Sequence, residues 1–205
     1  MIEYIDFHTH RPTAEGVITP RSFGIHPWEC ENEEAQSYQE FKAKYHDNFA
    51  DTDIIGECGL DKCSKARWER QQEVFDWHIR MSMELRKPMV IHCVRAFNEL
   101  MELRRQNRGD TWVVHGFTGS PQMAEQLFRS GIWVSFGAAI LDERRSKARE
   151  CLGDIRSPFM LETDDSTCGI EAVYNAAADI RKTTLAELCH TIKESYLALF
   201  WGIEN

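Results

Sequence analysis

Six side chains in this sequence have types and positions that suit a divalent-metal site: His8, His10, Glu57, His92, His115 and Asp164. His8 and His10 are two residues apart, so on a strand their imidazoles point to the same side and can hold one ion. Glu57 has two carboxylate oxygens and can bridge two ions. The spacing therefore predicts that the histidine pair holds one ion and shares Glu57 with a second.

The single candidates follow short apolar runs. His92 and His115 would complete the second ion site, and Asp164 would be the last ligand of the first ion site. Asp164 would also accept a proton during catalysis. Nitrogen and oxygen ligands without an obligatory thiolate suit zinc, manganese or magnesium. Two such ions about 3.5–4 Å apart can clamp a phosphoryl or acyl group and activate water for attack. We therefore predict a hydrolytic centre with two divalent ions.

Each candidate alone has a plainer explanation. Paired histidines occur on surfaces and in cores, a single histidine after an apolar run is more often a core residue, and Asp164 could cap a helix. All six at the ends of successive apolar runs are much harder to explain by packing. It is the complete set that favours metal binding.

Three further residues are candidates for substrate binding: His26, Trp28 and Arg95. His26 could contact a phosphate, although a histidine before proline can also anchor a turn. Arg95 could stabilise an anionic transition state, or be a surface arginine at a helix start. Trp28 could stack on a base or pack under a loop. The residues by themselves leave these alternatives open.

A framework of strands and helices must position these side chains. Short apolar runs typical of buried parallel strands occur at 2–7, 22–25, 54–55, 89–91, 112–114, 132–136 and 159–161. Amphipathic stretches at 72–85 and 122–130 predict helices, and Thr184 with Glu187 predicts a capping box for a last helix. This alternation indicates an α/β protein whose polar residues meet at one end of its parallel strands.

The N-terminal part of this framework is short. The eighth strand of a barrel would be the Val17–Ile18 run within 16–19, and no helix fits between it and Ser22. We therefore predict a TIM-like (β/α) barrel that is trimmed near the N-terminus, with an open parallel sheet as the competing architecture. No repeat or linker divides the sequence, so we expect residues 1–205 to form a single domain.

Composition limits the possible partners. The formal net charge of -9 argues against a protein that grips long nucleic acid by bulk electrostatics, although bound ions would invert the local field for a phosphate. No apolar run approaches the roughly 20 residues that span a bilayer, and no signal peptide is visible. The seven scattered cysteines favour reduced thiols. We expect a cytoplasmic protein without a membrane or an obligate protein partner.

Several longer motifs resemble those of a known family. They read DFHTH at 6–10, GIHP at 24–27, IGECGLD at 55–61, PMVIH at 88–92, HGFTGS at 115–120 and LETD at 161–164. On these motifs the chain resembles the TatD-like metal-dependent hydrolases, a branch of the amidohydrolase superfamily with TIM-barrel architecture. The resemblance implies a divalent-metal-dependent hydrolase, usually a deoxyribonuclease, whose ligands match the six positions named above. Glu57 matches the glutamate that replaces the superfamily's carboxylated lysine in this family.

The chain also departs from the family pattern. It is shorter, and the stretch between His10 and Ser22 has lost most of a strand–helix unit. The second histidine that the family has after His26 is Trp28 here, and the basic residue that follows the later histidine motif is displaced to Arg95. These departures touch the substrate side and leave the metal set intact.

Three functions remain open at this point. The leading hypothesis is hydrolysis of phosphoester bonds, with single-stranded DNA ends as the substrate that the resemblance implies. A second hypothesis keeps the metals but has them cleave an amide or ester of a small molecule. A third is a non-catalytic metal-binding interaction protein, which the complete ligand set, Asp164 included, argues against.

Overall fold

The computed structural model describes residues 3–109, 111–144 and 146–201. The strands in these residues are β1 Tyr4–Ile5, β2 Val17–Ile18, β3 Ser22–Phe23, β4 Ile54–Asp61, β5 Met89–Val94, β6 Trp112–Val114, β7 Ile132–Phe136 and β8 Phe159–Leu161. The helices are α1 Tyr38–Ala50, α2 Trp68–Leu85, α3 Phe97–Gln106, α4 Pro121–Arg129, α5 Ser146–Asp154, α6 Ile170–Arg181 and α7 Leu185–Trp201. None of the helices in the described ranges is both long and apolar enough to cross a membrane.

The contacts divide the chain into two compact units. We call Arg21–Val113 the central unit, and Met1–Pro20 together with Val114–Asn205 the terminal unit. The expectation of one domain over 1–205 stays a prediction, and residues 1–2 and 202–205 lie outside the described residues.

The central unit is built on a parallel sheet in the order β3, β4, β5. Ile55 of β4 pairs with Met89 of β5, α2 packs on β4, and α1 packs on α2. All eight residues of β4 are buried. Two of them, Glu57 and Asp61, are carboxylates, so this strand holds acidic groups where water has little access.

A register shift in β4 sets the direction in which Glu57 leaves the strand. The shift lies between Ile55 and Cys58. Gly56 has φ 127°, and a Cβ added to it would stand 2.2 Å from the carbonyl oxygen of Val90. Glycine alone tolerates this backbone conformation together with such a close approach. The bulge therefore depends on Gly56, and it places the Glu57 carboxylate.

The terminal unit contains two parallel strand pairs, β1 with β2 and β7 with β8. α4 packs on β7, α5 packs on α6, and α7 packs on β8 and α6. The Tyr174 hydroxyl ties α6 to β1, because it accepts a hydrogen bond from the Ile5 amide and donates one to the Ile5 carbonyl, both at 3.1 Å.

Most elements lie where the sequence predicted them. β6, β7 and β8 have the predicted bounds, β2 is the small predicted strand, and the chain passes from β2 to β3 without a helix. The helices predicted at 72–85 and 122–130 lie in α2 and α4, the latter to within one residue. The capping box is confirmed: the Glu187 amide donates to Thr184 Oγ1 at 3.2 Å, and the Thr184 amide donates to the Glu187 carboxylate at 2.9 Å.

The apolar runs at 54–55 and 89–91 are shorter than their strands. β4 continues to Asp61 and β5 to Val94. Glu57 and His92 therefore lie within strands, and the prediction that they follow strand ends was wrong. The reason is that ladder hydrogen bonds join backbones, so pairing continues past the point where side chains stop being apolar.

His78 is a buried packing residue, in agreement with its position within a predicted helix. Its Nδ1 donates to the Val74 carbonyl at 2.7 Å, and its Nε2 accepts from the Ile25 amide at 2.9 Å. Both bonds suit the neutral ring. Burial lowers the pKa of His78 to about 4, while hydrogen bonding to Val74 works in the opposite direction.

This histidine should make the protein sensitive to acid. The ordinary pKa of a histidine is 6.5, so at lower pH His78 is protonated in the unfolded chain but stays neutral in the folded chain. The free energy of unfolding therefore falls as the pH drops from about 6.5 towards 4. We expect a loss of about 1.5 kcal/mol in the free energy of unfolding between pH 6.5 and pH 5. Denaturant unfolding with chelator should show that His78→Gln lacks this slope. The exposed-site control His190→Gln should keep it, and equal slopes in both variants would contradict the assignment.

Candidate functional site

Two histidines and an aspartate meet in the terminal unit. His8 and His10 follow β1, and Asp164 follows β8. The Asp164 amide donates to the His8 carbonyl at 2.9 Å, and the Asp164 carbonyl accepts from the His10 amide at 3.0 Å. Thr9 between the histidines forms a parallel bridge with Asp164. This pairing continues beyond the regular strands and brings the three side chains together.

The Asp164 backbone has an unusual conformation, with φ 53°. Aspartate and asparagine enter the left-handed region more easily than other residues with a Cβ, and the paired backbone holds it there. Asp164 Oδ1 lies 3.4 Å from His10 Nε2 and 3.9 Å from His8 Nε2. The ligand atoms of all three residues fall within 4.8 Å of one another. His8 is buried while His10 and Asp164 are partly exposed, so solvent reaches one side of this set.

His115 lies beside this set and contacts a buried glutamate. Its Nδ1 is 3.5 Å from Glu162 Oε1 and 3.9 Å from Asp164 Oδ2, and its ring centroid is 4.9 Å from that of His8. Burial alone would raise the pKa of Glu162, but the adjacent His115 ring and the charges of His115 and His8 lower it overall. Glu162 also accepts the Gly116 amide at 2.6 Å. Carboxylates in this position commonly orient the imidazole ligands of metal sites, so the contact is compatible with the predicted role of His115.

Glu162 is not among the site residues predicted from the sequence. The sequence feature that could have identified Glu162 is its two-residue spacing from Asp164, which equals the spacing of His8 and His10. A second buried carboxylate, Asp6, accepts the amide of Thr163 at 2.8 Å and its hydroxyl at 2.7 Å. Burial raises the pKa of Asp6 to about 6, against the lowering effect of these bonds. Asp6 thus holds the chain just before Asp164.

An open cleft of about 440 Å³ adjoins Asp164 within the terminal unit. Its lining includes the small or hydroxyl-bearing residues Thr118, Gly137, Ala138 and Ser166. These short side chains leave space for a substrate group next to the Asp164 carboxylate.

A second group of possible ligands occurs in the central unit. Glu57 Oε1 lies 3.0 Å from His92 Nδ1 and 3.1 Å from His26 Nε2. The ligand atoms of these three residues also fall within 4.8 Å of one another. The sequence assigned His26 to the substrate, whereas the structure brings it to Glu57 and His92, where it offers a further nitrogen donor.

Asp61 connects this group to Trp28. One carboxylate oxygen of Asp61 accepts the Trp28 indole N–H at 2.6 Å and lies 3.2 Å from His92 Nε2, and the other accepts the Cys63 amide at 2.7 Å. Burial would raise the pKa of Asp61, but the bonds from Trp28, Cys63 and His92 lower it overall. Asp61 ends the IGECGLD motif, but the sequence predicts no role for it because nothing in its spacing relates it to Trp28.

The other two predicted substrate residues, Trp28 and Arg95, are both exposed. Trp28 is exposed, and its ring contacts those of His26 and His92. Arg95 is also exposed, directly after β5, with φ 55°. Both side chains are reachable by a ligand in solution, and their roles stay predictions.

The two groups fit divalent ions by their chemistry. Each combines two imidazoles with a carboxylate, His8, His10 and Asp164 in the terminal unit and His26, Glu57 and His92 in the central unit. Nitrogen and oxygen donors of this kind suit zinc, manganese and related ions. The number of ions, their identity and the full ligand set stay predictions.

Comparison with known proteins places the chain in a family. Residues 14–201 match the family model described as TatD related DNase. The chain is 31% identical over 146 residues to YjjV of Escherichia coli, an uncharacterized metal-dependent hydrolase, with 70% of this chain and 56% of that protein covered. It is 32% identical over 120 residues to the 3'-5' ssDNA/RNA exonuclease TatD of Citrobacter rodentium, with 54% and 44% covered. The chain thus spans about half the length of these relatives.

A solved structure confirms the TIM-like fold. The crystal structure of YjjV, a TatD homolog from Escherichia coli, superposes with a TM-score of 0.76 at 23% identity, covering 92% of this chain and 78% of that one. The family model spans most of the sequence, and the predicted resemblance is confirmed. The chain belongs to the TatD family of metal-dependent hydrolases.

Proposed function

We propose that this protein hydrolyses phosphoester bonds with two divalent ions, and that its substrates are nucleic-acid ends, single-stranded DNA ends in particular. The observation that carries the proposal is the convergence of two imidazoles on one carboxylate in each unit, next to an open cleft in one of them. A relative named as a 3'-5' ssDNA/RNA exonuclease supports the substrate class.

The proposed metal ligands are those predicted from the sequence: His8, His10, Glu57, His92, His115 and Asp164. Divalent ions held by these residues would supply positive charge against the attacked phosphate and would make water more acidic. Asp164 accepts the proton of the attacking water, and its partial exposure allows the proton to pass on to solvent. Arg95 holds a non-bridging phosphate oxygen. His26 beside Glu57 contacts the phosphate, as the sequence predicted, and donation to an ion is the alternative role for the same imidazole.

The charge of the chain favours short, unpaired ends over long duplexes. A formal net charge of -9 leaves little basic surface with which to follow a phosphate backbone. A short end that binds through only a few phosphates next to the metal ligands does not need an extended basic surface. The cytoplasmic location and the lack of an obligate partner stay predictions from the sequence.

A substrate comparison tests the proposed function. Short single strands, duplexes, nucleotides and dihydro-cyclic amides are each incubated with the protein and zinc, manganese or magnesium, with a chelator control. We expect single strands to be cleaved fastest and the chelator to abolish the reaction. Efficient amide cleavage with inert phosphodiesters and phosphomonoesters would establish the amidohydrolase alternative instead. Metal binding without any turnover would favour a non-catalytic interaction protein.

A further inference from the structure

Trp28 is an exposed aromatic residue next to candidate ligands in the central unit. We propose that its indole, held in place by Asp61, is a stacking surface for the unpaired nucleobase beside the cleaved phosphoester. This inference rests on the proposed function and deepens it, because it names the group that is recognised. That group is the planar face of a base, which DNA and RNA strands share.

The indole is open to a ligand. Trp28 is 63% exposed, the largest value among the exposed large hydrophobic residues in the described part of the chain. Its ring meets His26 at a centroid distance of 4.8 Å and an angle of 85°, and meets His92 at 5.9 Å and 74°. Both contacts are edge-to-face, so neither imidazole lies parallel on the indole.

Asp61 acts as a positioning residue for this ring. The Trp28 indole N–H donates to the Asp61 carboxylate, which is itself 3% exposed and fixed by the Cys63 amide. A ring anchored at its N–H edge loses less freedom when a ligand stacks on its face. The contact also satisfies the only polar atom of the indole, so what remains for a ligand is an apolar aromatic surface.

The location explains why a base is the expected partner. His26 contacts both the Trp28 ring and the Glu57 carboxylate, so the stacking surface and the candidate ligands are one residue apart. In a nucleotide the phosphate and the base are separated by a single sugar. A phosphoester that reaches Glu57 and His26 therefore carries its base towards Trp28. Every base has a π face, so such a contact recognises unpaired bases without reading their identity.

Binding of matched strands tests the inference independently of turnover. The probes are short phosphorothioate DNA and RNA strands, each with a partner strand whose terminal nucleotides lack bases. Fluorescence anisotropy with added manganese gives the ratio of the two affinities. Wild-type protein should prefer base-bearing strands by about 5-fold to about 150-fold. The ratio matters because damage to metal binding weakens both strands of a pair equally.

Variants separate stacking from other effects. Trp28→Ala should bring the ratio close to one, and Trp28→Phe should retain part of it because the aromatic face remains. Asp61→Asn, which still accepts the indole N–H, should keep more of the ratio than Asp61→Ala. Phe128→Ala removes an exposed aromatic ring on α4 and should leave the ratio unchanged.

The outcomes distinguish this inference from the proposed function. Turnover of phosphoesters with equal binding of both strands of a pair would overturn the role of Trp28 and leave the hydrolase intact. A base preference that disappears in Trp28→Ala would support it even if turnover failed. Failure to bind any of the strands, or an unchanged ratio in Trp28→Ala, would also overturn it.

Discussion

Asp164→Asn is expected to lower turnover by about 100-fold to about 10,000-fold, the range for loss of a general base, while substrate affinity changes much less. Asparagine enters the left-handed backbone region almost as readily as aspartate, so φ 53° remains accessible and the hydrogen bonds with the segment around Thr9 can persist. What the variant loses is the charge and the basic oxygen. Single-turnover kinetics on a short single strand, with affinity measured separately, provides the comparison.

A matched variant controls for the loss of charge elsewhere. Asp179→Asn changes an exposed aspartate on α6 and should leave turnover within experimental error. Thermal unfolding of both variants shows whether the fold is retained. Full turnover in Asp164→Asn would transfer the proton-accepting role to another group, with His26 the next candidate.

Glu57→Gln should lower the affinity for divalent metal by at least about 10- to 100-fold, the loss that follows removal of even an outer partner of a metal site. Glu57 Oε1 contacts both His92 and His26, so its charge is central to the donors of the central unit. Glutamine has nearly the same shape but cannot supply that charge. Elemental analysis after equilibration with zinc or manganese should give about two ions per chain for the wild type and fewer for the variant.

The size of the loss tests the bridging role that the sequence assigned to Glu57. Loss of both ions would support bridging, while loss of one would restrict Glu57 to a single ion. Glu69→Gln, an exposed position on α2, should retain the wild-type metal content. Unchanged metal content in Glu57→Gln would remove this residue from the ligand set.

The sequence by itself determined the order of strands and helices and the residues with ligand chemistry. The apolar runs predicted the bounds of β6, β7 and β8 correctly, because buried parallel strands need apolar side chains on both faces. The capping box of Thr184 and Glu187 was equally visible, since it depends on a local spacing. The imidazoles and carboxylates named from the sequence also lie in or next to the predicted strands.

Only the tertiary structure decided which of these groups meet and what surrounds them. Glu57 meets His26 and His92 because β4 extends past its apolar run and bulges at Gly56, a consequence of backbone pairing that composition does not encode. Asp61 reaches Trp28 across 33 positions of the chain. Spacing rules describe neighbours within one element, whereas these contacts form between side chains that only the packing of separate elements brings within hydrogen-bond distance.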